Sequence, residues 1–380
     1  MRLSTSLSWS SLVVLTLFVH SAPAEVWSSN TVSAVSSAIS ADGRVLVATD
    51  TSTFVSCDYG VTWRSNNFSG RAAAVSANGS NIIIAGTVPA QILVSTDSGT
   101  NWTSYAAPST TSARQIACSS DASRLAMVLF ANYPIFISAN GGLTWSTNND
   151  APVTSWMSIA SSTDGQRLLA SSQNMGLWLS TNFGLTWSSI LTSNNLVGVA
   201  CSTDAKTVVV ASGTDVVYVS SDFGATWSWQ HVSTFGGSGA ASSADGSSLA
   251  VISYTGVFIS TNSGLTWATQ TGAGAVLNTI ATSADGHRWI AAHSGGQGRL
   301  YLGSSTPSPV IQIESANGKA SLSWIVPSTP FTLQQAEGTA FNQGSWSPVP
   351  GAPTLNLNTL RHEMTVPLTN TTAFFRLSKS

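Results

Sequence analysis

Ser220-Ser221-Asp222-Phe223-Gly224-Ala225-Thr226-Trp227 decides the fold, because it is one of six copies of a single pattern, Ser-x-[Asp/Asn]-x-Gly-x-[Thr/Asn]-Trp. The copies end at Trp63, Trp102, Trp145, Trp187, Trp227 and Trp267, and each recurs after roughly 40 residues, the period of a repeat architecture. A second turn, Ser-x-[Asp/Asn]-[Gly/Ala], recurs in the same rhythm seven times, with its acid or amide at Asp42, Asn78, Asp121, Asp164, Asp204, Asp245 and Asp285. Between the turns lie short β-type runs, clearest in the fifth unit at 196–201, 207–211, 216–220 and 226–230. Four strands in one unit, repeated around a ring, predict an all-β fold: a seven-bladed β-propeller, in which radial closure protects the sheet edges. A lone unit cannot bury both faces, so its Val, Ile, Leu and Trp side chains must pack against neighbours.

The seventh unit has no closing Trp strand of its own. After Arg299-Leu300-Tyr301-Leu302 the chain runs into Gly303-Ser304-Ser305-Thr306-Pro307, whereas Val26-Trp27-Ser28-Ser29 resembles Thr186-Trp187-Ser188-Ser189 of the fourth unit. The expectation is that this N-terminal segment supplies the missing outer strand and fastens the ring.

The ends of the chain read differently. Met1-Arg2, the apolar Leu12–Val19 and Ala22-Pro23-Ala24 make residues 1–24 a secretory signal peptide, so the mature chain is expected to be exported, free in the medium or at the cell surface. Eight strongly apolar residues are too few to cross ~30 Å of hydrocarbon, so no membrane span is expected. Residues 25–303 form the expected propeller and 304–309 a stiff Ser/Pro linker. In 310–380, runs such as Ser321-Leu322-Ser323-Trp324 alternate as strands of a small β-sandwich do, and the module resembles fibronectin III-like or immunoglobulin-like modules, including its Phe374-Phe375-Arg376-Leu377 ending. A spacer or attachment role is expected for it.

Only 8% of the residues are charged and the net charge is −2, too little positive charge to grip phosphates, so nucleic-acid partners are excluded. Three cysteines do not make a disulfide framework: Cys118 and Cys201 occupy one repeat position two units apart and read as small buried apolar residues, and Cys57 as free. No spacing among His231, His293 and the cysteines fits a metal, and no phosphate or dinucleotide loop is present, so neither metal nor cofactor is expected.

The repeated Trp turn resembles the Asp-box, or bacterial neuraminidase repeat, shared by sialidases, some xyloglucan-cleaving glycosidases, sortilin-type receptors and photosystem II assembly factors. The resemblance covers about residues 25–305 and speaks for fold rather than function, since these families do unrelated things on one scaffold. Asp58, Asp97, Asn140, Asn182, Asp222 and Asn262 read as structural acceptors for turn amides; three are amides, which accept as carboxylates do but cannot donate a proton in catalysis. Sialidase chemistry, as the resemblance implies it, would need an arginine triad, a Tyr/Glu pair, an Asp acid and an early Phe-Arg-Ile-Pro motif, which is absent.

Glycoside hydrolysis usually needs two carboxyl groups flanking one bond. Nine of the 13 acidic residues in 25–303 belong to the repeated turns, which leaves Glu25, Asp50, Asp150 and Asp215. Arg44, Arg124, Arg167, Lys206 and Arg288 follow the Asp turns and read as a solvated rim. In a four-stranded meander both repeated motifs share one face, so the other, the loop face, carries the candidate ligand residues Asp50, Arg71, Arg114, Tyr133, Asp150, Trp156, Asp215 and Tyr254. Arg71 and Arg114 begin equivalent innermost strands in adjacent units and point near the channel, where a pair suits an anionic group. Trp156 fits either the face or the core. The leading expectation is a non-catalytic binding or scaffold protein for a glycan or protein ligand. The alternative is an exo-acting glycosidase, which requires two of Asp50, Asp150 and Asp215 across one pocket.

Overall fold

The computed structural model describes residues 26–86, 90–147, 150–232, 236–293, 299–305, 311–316, 319–327, 331–337, 346–367 and 373–379. The expected signal segment 1–24 and most of the linker lie outside them. Among the described residues every regular element is a strand, and no helix is long and apolar enough to cross a membrane. The all-β expectation holds.

Seven antiparallel sheets follow one another along the chain. The first runs Ser36–Ile39, Leu46–Thr49, Thr53–Ser56 and Arg64–Asn66; the fifth, Leu196–Cys201, Val208–Ser212, Val216–Ser220 and Ser228–His231, lies within two residues of the runs read from sequence. In the seventh, Leu277–Thr282, Arg288–His293 and Leu300–Ser304 are joined by Val26–Asn30, antiparallel with Trp27 opposite Gly303. Gly303 is required there, since a Cβ would lie 2.7 Å from the Trp27 indole. Ser304 therefore belongs to a strand rather than to the linker, and Ser305 is tied back by donating its amide to His287 O at 2.9 Å.

One apolar cluster lies between each neighbouring pair of sheets. Val209, Val217 and Val219 of the fifth meet Leu249, Val251 and Phe258 of the sixth, and Leu46 and Ala48 of the first meet Ile290, Ala292 and Leu300 of the seventh. Each Val, Leu, Ile or Phe among them contributes about 1.5–3 kcal/mol by leaving water, and each Ala less. A belt of main-chain hydrogen bonds joins the same neighbours. The amides of Ala41, Ala77, Ser120, Thr163, Thr203, Ala244 and Ala284 each donate to the equivalent carbonyl of the next unit at 2.7–2.9 Å, and the last donates to Ala41 O.

The Trp turns are alike in geometry, except that in the sixth the Gly264 carbonyl accepts from Gln230 Nε2 and not from Trp267. In the fifth unit Asp222 Oδ1 accepts from Ser220 Oγ at 2.8 Å and from Thr226 N at 2.9 Å, while Asp222 Oδ2 accepts from Thr226 Oγ1 at 2.6 Å. Gly224 has φ +84°, its amide donates to Ser220 Oγ at 2.9 Å, and its carbonyl accepts from Trp227 Nε1 at 3.1 Å. Where the turn carries Asn140, Asn182 or Asn262, the amide Nδ2 donates to the Thr hydroxyl at 2.9 Å, so the hydroxyl changes from donor to acceptor and the geometry survives.

The arginines after the Ser-x-Asp turns are not all a solvated rim. Arg124 stacks on Phe183, Arg167 on Phe223 and Arg288 on Tyr59, with guanidinium carbons 5.1, 4.5 and 4.4 Å from the ring centroids, so each spans to the next unit. Arg44 stays at the surface beside Asp42.

At the C-terminus, one sheet orders Gln312–Ala316, Lys319–Ile325, Arg361–Pro367 and Thr354–Asn356, and another Ser347–Pro348, Phe331–Glu337 and Ala373–Lys379. Leu322, Trp324, Val366 and Leu333 form a core common to both. This module is docked on the turn end of the ring rather than held off by a spacer. Val326, Leu355, Leu357 and Leu360 pack on Ala41, Ala77, Ala244 and Ala284, and Thr163 Oγ1 donates to Asn358 O at 2.6 Å.

Two tests follow from these contacts. Trp27→Ala is expected to cost about 2–3 kcal/mol, less than a fully buried Trp because Trp27 is only half-buried, read as a lower urea midpoint; an unchanged midpoint would show that the ring does not depend on this strand. The second test uses pH. Turn hydrogen bonds, those from Asn101 for Asp97 and from Thr226 for Asp222, hold both carboxyls at about 2, below the ordinary 3.8. Their contribution is whole above about pH 4 and is lost as pH falls toward 2. Changing Asp58, Asp97 and Asp222 together to Asn should flatten the fall in melting temperature between pH 4 and pH 2 while sparing the value at pH 7.

Candidate functional site

The site grows from an irregularity in the innermost strands. Six of the seven carry a register shift near their start, at Gly70/Ala72, Ala113/Gln115, Trp156/Ser158, Leu196/Gly198, Gly237/Gly239 and Leu277/Thr279. A bulge re-aims the extra side chain, and the six extra residues are Arg71, Arg114, Met157, Val197, Ser238 and Asn278. All six line one cavity of about 530 Å³ along the channel. The mouth is therefore basic on the second and third units and neutral elsewhere.

Three of the four polar side chains among them tie one unit to the next. Arg114 Nε donates to Met157 O at 3.1 Å, Ser238 Oγ to Leu277 O at 2.7 Å and Asn278 Nδ2 to Val35 O at 2.7 Å. Arg71 differs. It is exposed, and among the described residues it makes no hydrogen bond or ion pair. Its guanidinium lies 5.1 Å from the Phe130 ring centroid, and that of Arg114 lies 5.0 Å from the same ring. Burial pulls the Arg114 guanidinium below its ordinary value, and no carboxylate forms an ion pair with it among the described residues. Two cations held on one aromatic ring, neither in an ion pair among the described residues, make an anion-binding arrangement.

A hollow of about 490 Å³ adjoins the channel and shares Arg71 and Phe130 with it. Asp50, Thr51, Thr111 and Ser112 complete its wall. Asp50 Oδ2 accepts from Ser33 Oγ at 2.7 Å, and the Asp50 carbonyl accepts from Gly70 N at 2.9 Å, so the residue is fixed between the first and second units. Tyr133 sits behind the hollow, where its hydroxyl accepts from Thr111 Oγ1 at 2.9 Å. Tyr254, 57% exposed, lines the channel.

Thus Asp50, Arg71, Arg114 and Tyr254 line the channel mouth and its side hollow, and Tyr133 lines neither but supports the hollow's wall through Thr111. The other three candidates lie elsewhere. Trp156 is 1% exposed, packed between the third and fourth units with Trp187, so it is core and not a ligand contact. Asp150 Oδ2 accepts from the Trp187 amide at 2.9 Å, which makes it an inter-unit tie. Asp215 is bound to His231 Nδ1 at 2.6 Å in a separate small hollow between the fifth and sixth units. The carboxyl pair that glycoside hydrolysis needs is not assembled from Asp50, Asp150 and Asp215: each is held by a different partner. Phe130 is a site residue that the sequence reading does not single out. Its signal is positional, since it directly follows the second strand of its unit as Asp50 and Tyr254 follow theirs.

At the other end of the channel the C-terminal module lies over the belt. A cavity of about 180 Å³ bounded by the belt residues Ala41, Ala77, Thr163, Thr203, Ala244 and Ala284 is capped by Leu360. Cys118 and Cys201 lie in the channel wall, where each thiol donates to a carbonyl of a neighbouring unit, Val75 O at 3.5 Å and Ser161 O at 3.6 Å. All three cysteines are free.

Solved structures with this arrangement are β-propellers. YCF48 bound to D1 peptide superposes with a TM-score of 0.57 at 15% identity, covering 78% of this chain and 100% of that one. YCF48 from Cyanidioschyzon merolae gives 0.55 at 17%, covering 73% and 98%. The Cps50 (Swd1) β-propeller domain of Myceliophteria thermophila gives 0.57 at 11%, again covering 73% and 98%. No family model matches the chain, and no curated protein does. At these identities the likeness establishes a propeller fold.

Burial pushes the Cys118 and Cys201 thiols up to about 12, with Asp121 and Asp204 adding to the effect. A thiol-reactive disulfide reagent at pH 8 is therefore expected to titrate at most one thiol in the folded chain and three in denaturant. Rapid reaction of all three without denaturant would show that the channel wall opens.

Proposed function

We propose that this chain is an exported, seven-bladed propeller of the Asp-box kind with a C-terminal β-sandwich, and that it works as a non-catalytic binding or scaffold protein. Its ligand, a protein segment or a glycan bearing a negative charge, enters at the loop face. The observation that carries this reading is the Arg71–Phe130–Arg114 stack. Guanidinium groups without a carboxylate partner at a channel mouth favour an incoming anion, and Arg71 has its donors uncommitted. The C-terminal module packs on the belt at the turn end, whereas the loop face carries no such module, which favours the loop face as the approach to the channel. A protein similar in fold, YCF48 with its bound D1 peptide, supports a peptide as a ligand for a scaffold of this shape. The six Trp turns support the Asp-box kinship, and the two C-terminal sheets around one core support the sandwich.

In this reading catalysis has no part, because the three carboxylates that it would recruit are engaged separately. The test is a screen of the purified mature chain on glycan and peptide arrays beside a panel of glycoside hydrolase substrates. Hits should be enriched in carboxylated or sulfated ligands. The double variant Arg71→Gln, Arg114→Gln should weaken them at least about tenfold, as expected for two lost charge-assisted contacts. Turnover of any glycoside, or binding indifferent to both substitutions, would sink the proposal.

A further inference from the structure

Asp50 and Arg71 line one hollow, yet they form no ion pair, which places their charged atoms more than 4.0 Å apart. Both are fixed in ways that keep them apart. Asp50 is held by Ser33 Oγ through Oδ2 and by main-chain bonds on both sides, its own amide donating to Ser52 O at 3.0 Å and its carbonyl accepting from Gly70 N at 2.9 Å. Arg71 leans on Phe130 instead of reaching for the carboxylate. Asp50 Oδ1 has no hydrogen bond among the described residues, and neither does the Arg71 guanidinium. The hollow thus offers a negative pole and a positive pole, separated by space and by the hydroxyl-bearing walls of Thr51, Thr111 and Ser112.

Building on the loop-face reading above, we infer that the ligand is a protein segment carrying a carboxylate and an ammonium close together: the carboxylate on Arg71 and Arg114, the ammonium of a lysine on Asp50 in the side hollow. Opposite charges lining a hollow of about 490 Å³ are left with water when it is empty, and a ligand of one sign satisfies only one of them. A neutral glycan leaves both uncompensated. An acidic residue with a lysine nearby compensates both at once, and the lysine's alkyl stem lies against the Phe130 ring that forms the shared wall. The two subsites meet at Arg71, so the two ligand charges must be near neighbours along one chain rather than distant epitopes.

The experiment uses the full mature chain and acetylated, amidated hexapeptides of Gly and Ser with one Glu, and with Lys placed one, two or three residues to either side. A matched set has Gln in place of Lys, and binding is followed by fluorescence anisotropy at low and moderate salt. At one or more spacings the Lys peptides should bind about fivefold more tightly than their Gln partners, the size expected of a partly exposed ion pair. In Asp50→Asn, which keeps an oxygen to accept from Ser33, that ratio should fall to about one, with the circular dichroism unchanged. Arg71→Gln should weaken Lys and Gln peptides alike. Equal binding of Lys and Gln peptides by the unaltered chain at every spacing, or a ratio that survives Asp50→Asn, overturns the lysine subsite and leaves the anion reading standing. No Glu-dependent binding at any spacing overturns both.

Discussion

Seven main-chain hydrogen bonds, each given by the residue before a repeated Asp or Asn and each accepted by the same residue of the next unit, run head to tail around one end of the channel. A linear array would leave its first and last members exposed, whereas here the seventh amide returns to the carbonyl of the first. The constraint is strict. The x position of every Ser-x-Asp turn must lie at the same radius and height, and the buried Ser hydroxyl and the acid of that turn hold it there, as Ser40 and Asp42 do in the first unit. The apolar clusters between sheets supply most of the stabilisation, but they are tolerant of shape, and the belt fixes the geometry.

With one end rigid and regular, variation moves to the other. The bulges fall on the far ends of the same innermost strands, so that in six units one residue is turned toward the channel. Six nearly identical positions then hold five kinds of side chain, and it is their order around the ring that breaks its symmetry. Two arginines in succession, followed by Met157, Val197, Ser238 and Asn278, concentrate positive charge on one arc. Phe130 completes the arc: it lets both cations remain near each other on a π-face instead of repelling into solvent.

Repetition makes much of this architecture legible in the sequence. Turn residues and strands can be read because every unit states them again, with Asp58, Asn140 and Asp222 filling one hydrogen-bonding role through two chemistries. The pairing of Val26–Asn30 with Leu300–Ser304 is foreseeable because a strand absent at one end of the chain has a spare copy at the other. One-residue detail is beyond such reading. A bulge flips the alternation of a strand, so Trp156 turns into the core while its neighbour Met157 turns to the channel, and no periodicity distinguishes the two. Asp150 and Asp215 look available because a sequence reveals loose carboxylates but not the Trp187 amide or the His231 ring that occupies them. The arginines stacked on Tyr59, Phe183 and Phe223 belong to the same class, since their partners lie a full unit away.

The C-terminal module gives the channel its direction. Leu360 adopts φ +50°, a left-handed conformation that a leucine accepts only where its surroundings reward it. Its side chain caps the cavity at the belt, with Val326, Leu355 and Leu357 spreading over the alanines of four units. Those alanines are small because the belt brings neighbouring turns together, and their smallness leaves a shallow apolar dish that water would otherwise cover. Covering it joins the first, second, sixth and seventh units under one cap, and Thr163 adds the fourth. A ring tied in this way cannot readily breathe at its turn end, and Arg71, Arg114 and Asp50 stand at the opposite end, away from the module.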